Sequence, residues 1–159
     1  MGKKGKLAIV GVVALGVAAG LGIGVFEIQT AFIDDEVNET LRTDGDEVAS
    51  GAFHDVAHAA KGTARVLRGT DGAHELQLVD FHVDNGPALE VWLVALDDAT
   101  DDDSIKTAEY VVAGPLKGNI GDQAYELPAD YDPGKHKAAV VWCERFGVNF
   151  ATAPLKIVE

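Results

Sequence analysis

Leu89-Glu90-Val91-Trp92-Leu93-Val94-Ala95-Leu96 and Ala138-Ala139-Val140-Val141-Trp142-Cys143 are apolar at every position except Glu90. Runs this short, rich in β-branched and aromatic residues, read as strands rather than helices. Without polar alternation, both are expected to be covered on two faces. Outward from them the signals are weaker but of one kind. Thr63–Leu67, His74–Phe81, Tyr110–Ala113, Ala124–Leu127, Val148–Ala151 and Leu155–Val158 read as further short strands. Glu75–Leu78 alternates with period two, the mark of a strand with one wet face. Asp84-Asn85-Gly86-Pro87 is expected to turn the chain, with positive φ at Asn or Gly. Gly114-Pro115 and Gly118-Asn119-Ile120-Gly121 mark further breaks. The connections are too short for crossover helices, so a parallel α/β fold is excluded. The expected fold is all-β: an antiparallel sandwich or barrel-like domain of seven to eight short strands. No amphipathic helix of three turns is expected after residue 62, and Val56–Lys61 has room for a single helical turn.

Upstream, Leu7–Phe26 is twenty residues without a charge. As a helix it rises about 30 Å, enough to cross a bilayer's hydrocarbon core. Lys3, Lys4 and Lys6 precede it and Glu27, Asp34, Asp35, Glu36 and Glu39 follow. The positive flank stays cytoplasmic, so the rest is expected in the periplasm or outside the cell. Val17-Ala18-Ala19 offers the rival reading of a cleaved signal peptide. The apolar run continues seven residues past Ala19, which favours a retained anchor. Gly16, Gly20 and Gly24 form a small-residue face on which two helices would pair. The expected organisation is a basic tail at 1–6, a membrane span at 7–26, a solvated acidic linker at 27–47 and a β domain at 48–159.

Net charge is −13 over 159 residues. Residues 27–159 carry the whole acidic excess, and no Lys/Arg stripe exists for nucleic-acid phosphates. The chain has no phosphate-binding Gly-rich loop with its Lys, no GxSxG, no CxxC and no HExxH. No hydrolase or transferase site is expected.

Cys143 is the only cysteine, which excludes an intrachain disulfide. It ends the most apolar strand, near a rim. Strand parity places it with Ala139 and Val141, and Trp142 on the opposite face. Arg145 shares that parity if the strand continues, and a nearby cation favours a thiolate. The bland alternative is a small buried hydrophobe. His54 and His58 would share a face on a helical turn, at metal-binding spacing; two surface histidines are the plainer reading. His74, His82 and His136 are expected exposed. Asp97, Asp98, Asp101, Asp102 and Asp103 lack EF-hand spacing and read as a solvated loop.

Several blocks together resemble a known family. Gly51-Ala52-Phe53, His58, Gly62 and Leu76–Phe81, the last with Asp80 and Phe81, resemble the opening of the DM-thirteen domain, also called the electron-transfer DM domain. Asn85-Gly86-Pro87 and the strand after it resemble its NGP signature. Leu116–Pro128, with Gly118, Asn119, Gly121 and Tyr125, is similar to its LKGNxGxQxYxxP block. Val140–Phe150, with Trp142 and Cys143, resembles its closing block. Phe32–Glu39 is similar to bacterial members with a single anchor helix. The resemblance covers about residues 48–158. It implies a β-sandwich and an electron-transfer role centred on Cys143, acting as a thiol or holding haem or copper with His58. The second reading is a non-catalytic module. It presents Asn85–Pro87 and Lys117–Asn119 to a cell-surface polymer or partner protein, with Cys143 as packing or as an interchain disulfide. The first reading adds a redox partner protein.

Overall fold

The computed structural model describes residues 33–159. The expected membrane span at 7–26, its glycine face and the basic tail lie outside the described residues. Among the described residues no helix is long and apolar enough to cross a membrane.

Ten strands are described. They are β1 (Asp46–Ala52), β2 (His54–Asp55), β3 (Ala60–Arg68), β4 (His74–Val83) and β5 (Leu89–Val94), then β6 (Tyr110–Pro115), β7 (Gln123–Glu126), β8 (Ala138–Cys143), β9 (Val148–Pro154) and β10 (Lys156–Ile157). They form two five-stranded sheets, ordered β10-β1-β3-β4-β7 and β2-β9-β8-β5-β6. Every strand pair is antiparallel. The sandwich expected from the sequence is the fold. β1 and β2 are additional to the strands expected. No helical turn forms over 56–61; His54 lies in β2 and residues 56–58 form a bend.

The core lies between the sheets. Leu76, Leu78 and Phe81 of β4 face Val91 and Leu93 of β5 and Ala139 and Val141 of β8. Full burial of such a side chain contributes about 1.5–3 kcal/mol each, before the cost of ordering the chain. Gly62 sits at a register shift in β3 with φ +108. A Cβ there would lie 2.7 Å from the Phe81 Cα, so the close approach of β4 requires glycine.

The two apolar strands are covered on both faces, as expected, and the acidic stretch supplies the second cover. Asp102–Thr107 is a short helix, α1. Asp101 caps it, accepting the Ser104 N–H at 2.9 Å, with Asp102 and Asp103 in the first turn and Lys106 in the last. Its Ile105 is fully buried with Ala99 against Trp92, Val94, Val140 and Trp142 on the outer face of the second sheet. Asp97, Asp98, Asp101 and Asp103 are exposed, as expected, but Asp102 and Asp103 lie in a helix rather than a loop. Asp97 pairs with Lys137 at 2.9 Å, and Asp98 with His54 at 2.9 Å. The Asp102 carboxylate accepts the Asn149 N–H at 2.8 Å.

The stretch before β1 also departs from expectation. Residues 33–39 do not stand free as a solvated linker but dock on the loop between β6 and β7. The Val37 N–H donates to the Ile120 carbonyl and the Glu39 N–H to the Asp122 carbonyl, each at 2.9 Å. Glu36 and Ile120 form a parallel bridge. β1 itself starts at Asp46, two positions before the boundary drawn at 48.

Candidate functional site

Three segments meet at one end of the sandwich: the β4–β5 turn, the β6–β7 loop and docked residues 33–39. Between them lies a cavity of about 410 Å³, lined among others by Ile33, Asp35, Gly86, Leu89, Leu116 and Lys117. The two turns that the sequence suggested as a binding surface line this one cavity.

The β4–β5 turn is built differently from expectation. Positive φ falls on Ala88 (+52), not on Asn85 or Gly86. Gly86 is required for space, since a Cβ there would lie 2.7 Å from the Phe150 ring. The Asn85 side chain accepts the Gly86 N–H at 2.8 Å and donates to the Ile33 carbonyl. Behind the turn, the Cys143 thiol donates to the Pro87 carbonyl at 3.2 Å. The Glu144 N–H donates to the Ala88 carbonyl at 3.0 Å.

Cys143 is fully buried and faces the core with Ala139 and Val141, while Trp142 faces outward. The parity argument holds. The Arg145 argument does not, because β8 ends at Cys143 and Arg145 lies exposed in the following turn. His58 reaches the same end of the sandwich. Its ring stacks on Phe150 at 3.8 Å, and Nδ1 lies 3.2 Å from the Asp84 carboxylate. His54 is turned to Asp98 instead. Among the described residues, no three His, Cys, Asp or Glu side chains gather as a metal site. Cys143 is fully buried in the core and, with His58, belongs to no three-ligand cluster among the described residues, so the two do not present a copper ligand set.

Of the other histidines, His74 and His82 are half-buried. His136 is buried rather than exposed. Its Nδ1 accepts the Asp132 N–H at 3.0 Å, and its ring stacks on Tyr131.

The β6–β7 loop carries polar residues whose burial the sequence did not announce. Gln123 is fully buried. Its carbonyl accepts the Tyr125 hydroxyl at 2.7 Å and the Lys117 N–H at 3.2 Å. Its amide donates to the Gly118 carbonyl at 2.9 Å. Asn119 donates to the Val83 carbonyl (3.0 Å) and the Asp34 carboxylate (2.9 Å), and accepts the Asp35 N–H at 2.7 Å. Burial pushes the Tyr125 phenol well above its usual pKa, so it stays a hydroxyl. Asp80 has φ +48, and its N–H donates to the Asp122 carboxylate at 2.8 Å. These residues shape the loop and hold the docked segment.

Lys117 clamps that segment. Its ammonium donates to both Glu39 oxygens, at 2.8 and 2.9 Å, and to the Ala124 carbonyl at 2.6 Å. Glu39 also accepts the Ala124 N–H at 2.7 Å. The Lys117 hydrogen bond first, and the Ala124 bond second, hold the Glu39 carboxyl below its ordinary pKa. A depressed carboxyl stabilises the folded form above its unfolded pKa and loses that effect as pH falls. Docking of residues 33–39 is therefore expected to weaken below about pH 4.3. Hydrogen-exchange protection at Val37 and Glu39, followed against pH, checks this. A Glu39→Gln chain should start less protected and show a flatter pH dependence.

The model of a family described as electron transfer DM13 matches residues 52–155. No curated protein and no solved structure matches the chain. The match ends short of the docked segment and most of β1, which the structure nonetheless joins to the same domain.

Proposed function

The chain belongs to the electron-transfer DM13 family, and on that premise we propose an extracytoplasmic electron-transfer module, tethered by one membrane span and centred on the Cys143 thiol. One observation carries the reading. The only sulfur nucleophile of the chain lies behind the Pro87 carbonyl, at the turn that lines the 410 Å³ cavity. Movement of the 84–88 turn opens the thiol to a disulfide-bearing partner entering from the cavity. The step is exchange: the Cys143 sulfur attacks one sulfur of the incoming disulfide, forms a mixed disulfide and releases the other as a thiol. The proton from Cys143 goes to the released thiolate.

Oxidised glutathione tests this on the full chain in detergent. Cys143 should gain one glutathione in the folded state, more slowly than in denaturant, with one reduced glutathione released. A thiol that stays unmodified until the chain unfolds sinks the reading. The topology has its own test. Protease added to spheroplasts should trim the chain back to residues near the span, and full protection would refute an outward-facing domain.

A second reading rests on the cavity itself. Both turns line it, together with Lys117, Asp34 and Asp35, which suits a polar segment of a cell-surface polymer or partner protein. Binding retained in Cys143→Ser favours that reading. An interchain disulfide at Cys143 requires the same turn to open, since the sulfur is fully buried. Homodimerisation through Gly16, Gly20 and Gly24 is the remaining partner proposal.

A further inference from the structure

Both tryptophans of the chain lie in one stack on the outer face of the second sheet, away from the Cys143 face. Trp142 of β8, Trp92 of β5 and Tyr110 of β6 occupy three adjacent strands. The Trp142 and Trp92 rings are 5.2 Å apart and inclined at 30°; Trp92 and Tyr110 are 4.1 Å apart and inclined at 6°. Exposure rises along the stack, from 2% at Trp142 through 6% at Trp92 to 44% at Tyr110. The Trp92 indole N–H donates to the Glu90 carboxylate at 2.8 Å. Aromatic contacts alone account for about 0.5–1.5 kcal/mol per pair. They do not require a carboxylate on the indole proton, or a phenol at the wet end.

We propose that Trp142, Trp92 and Tyr110 form a one-electron relay to the surface, with Glu90 as the proton acceptor of Trp92. Indole and phenol are among the side chains that give up one electron most readily. Rings in van der Waals contact pass it without a long tunnelling gap. An outer-sphere one-electron oxidant, such as a high-potential metal complex, takes an electron from an indole of the stack. If Trp142 is oxidised first, Trp92 refills it. The oxidised Trp92 passes its N–H proton to the Glu90 carboxylate, leaving a neutral indolyl radical. Tyr110 then supplies one electron to Trp92 and loses its hydroxyl proton to water. Glu90 returns the indole proton. The balance is one oxidant reduced, one tyrosyl radical formed at Tyr110 and one proton released. The relay deepens the electron-transfer reading but does not use the Cys143 sulfur.

Flash photolysis of the full chain in detergent, with a photogenerated ruthenium(III) polypyridyl complex as oxidant, tests it. In the wild type an indolyl radical is expected to decay as a tyrosyl radical rises. Tyr110→Phe keeps the ring and should lengthen the indolyl lifetime at least about tenfold. Trp92→Phe should slow the tyrosyl rise about tenfold, because Trp142 then lacks its neighbour. Glu90→Gln should leave the protonated cation radical in place of the neutral one. An indolyl lifetime unchanged in Tyr110→Phe overturns the relay, as does a tyrosyl rise at the wild-type rate in Trp92→Phe. If Trp92→Phe does not fold, the surface variant Tyr110→Phe decides alone. The radical spectra do not depend on the glutathione reaction, so the relay and the thiol reading fail separately.

Discussion

Gly121→Ala is expected to destabilise the domain by at least about 3 kcal/mol and to release residues 33–39 from it. Two effects combine at this position. Gly121 has φ +100, where a side chain costs about 1–3 kcal/mol in strain. A Cβ would also lie 1.9 Å from the Val37 carbonyl oxygen, which is backbone and has no rotamer to change. The docked segment must therefore move. The bonds from Val37 to Ile120 and from Glu39 to Asp122 go with it, at about 1 kcal/mol each. Gly72→Ala is the matched control. Its φ is +82, but a Cβ there meets nothing within 4 Å. It should cost only the backbone strain, about 1 kcal/mol. Thermal melts of the two variants give the difference, and trypsin cleavage after Arg42 reports release of the segment. Equal effects from both substitutions would mean that residues 33–39 are not held against Gly121.

This glycine shows why part of the site was hidden in the sequence. The β5 and β8 runs announced themselves because burial on two faces demands unbroken apolar residues. The parity of Cys143 and Trp142 followed from strand geometry alone. Docking of residues 33–39 uses backbone and polar side-chain hydrogen bonds and leaves no hydrophobic period to read; Val37 is its only apolar residue after Ile33. The one legible trace was the pair of glycines, Gly118 and Gly121, which read as turn residues. A Cβ on Gly118 would lie 2.6 Å from the Asp35 carbonyl oxygen, so it too is small to admit the segment. The α1 lid was hidden for a similar reason. Six residues cannot display helical periodicity, and its single apolar anchor, Ile105, sits among acids that suggest solvent. The parity placement of Arg145 did not hold because the turn at 144–147 interrupts the strand that the parity count assumed. His136 is covered by Tyr131 of the same turn, which the Asp132–His136 hydrogen bonds close, a local fold that its flanking charges do not announce.

The fully buried Gln123 gives the other large effect, and one with a distinct pH signature. Gln123→Leu keeps the volume but removes the acceptor of the Tyr125 hydroxyl and the donor to the Gly118 carbonyl. Each buried group left unpaired costs about 1–3 kcal/mol, so a loss of about 4 kcal/mol is expected. The 117–121 loop should loosen with it, since the Lys117 backbone N–H keeps only the Tyr125 hydroxyl oxygen as its acceptor. Gln123→Glu separates the accepting from the donating role. As a carboxylate the new side chain accepts from Tyr125 and Lys117 but cannot donate to Gly118. As a carboxylic acid it can do both. Burial favours the protonated form, so the folded pKa of that carboxyl lies above its unfolded value. A raised carboxyl stabilises fully below the unfolded pKa and loses that effect as pH rises through the folded one. Gln123→Glu should therefore approach wild-type stability in mild acid and fall toward Gln123→Leu near neutrality. Glu39, with its depressed pKa, runs in the opposite direction. Urea melts at pH 4.5 and 7.5 distinguish the two. If Gln123→Leu lies within about 1 kcal/mol of wild type, the loop does not depend on this network.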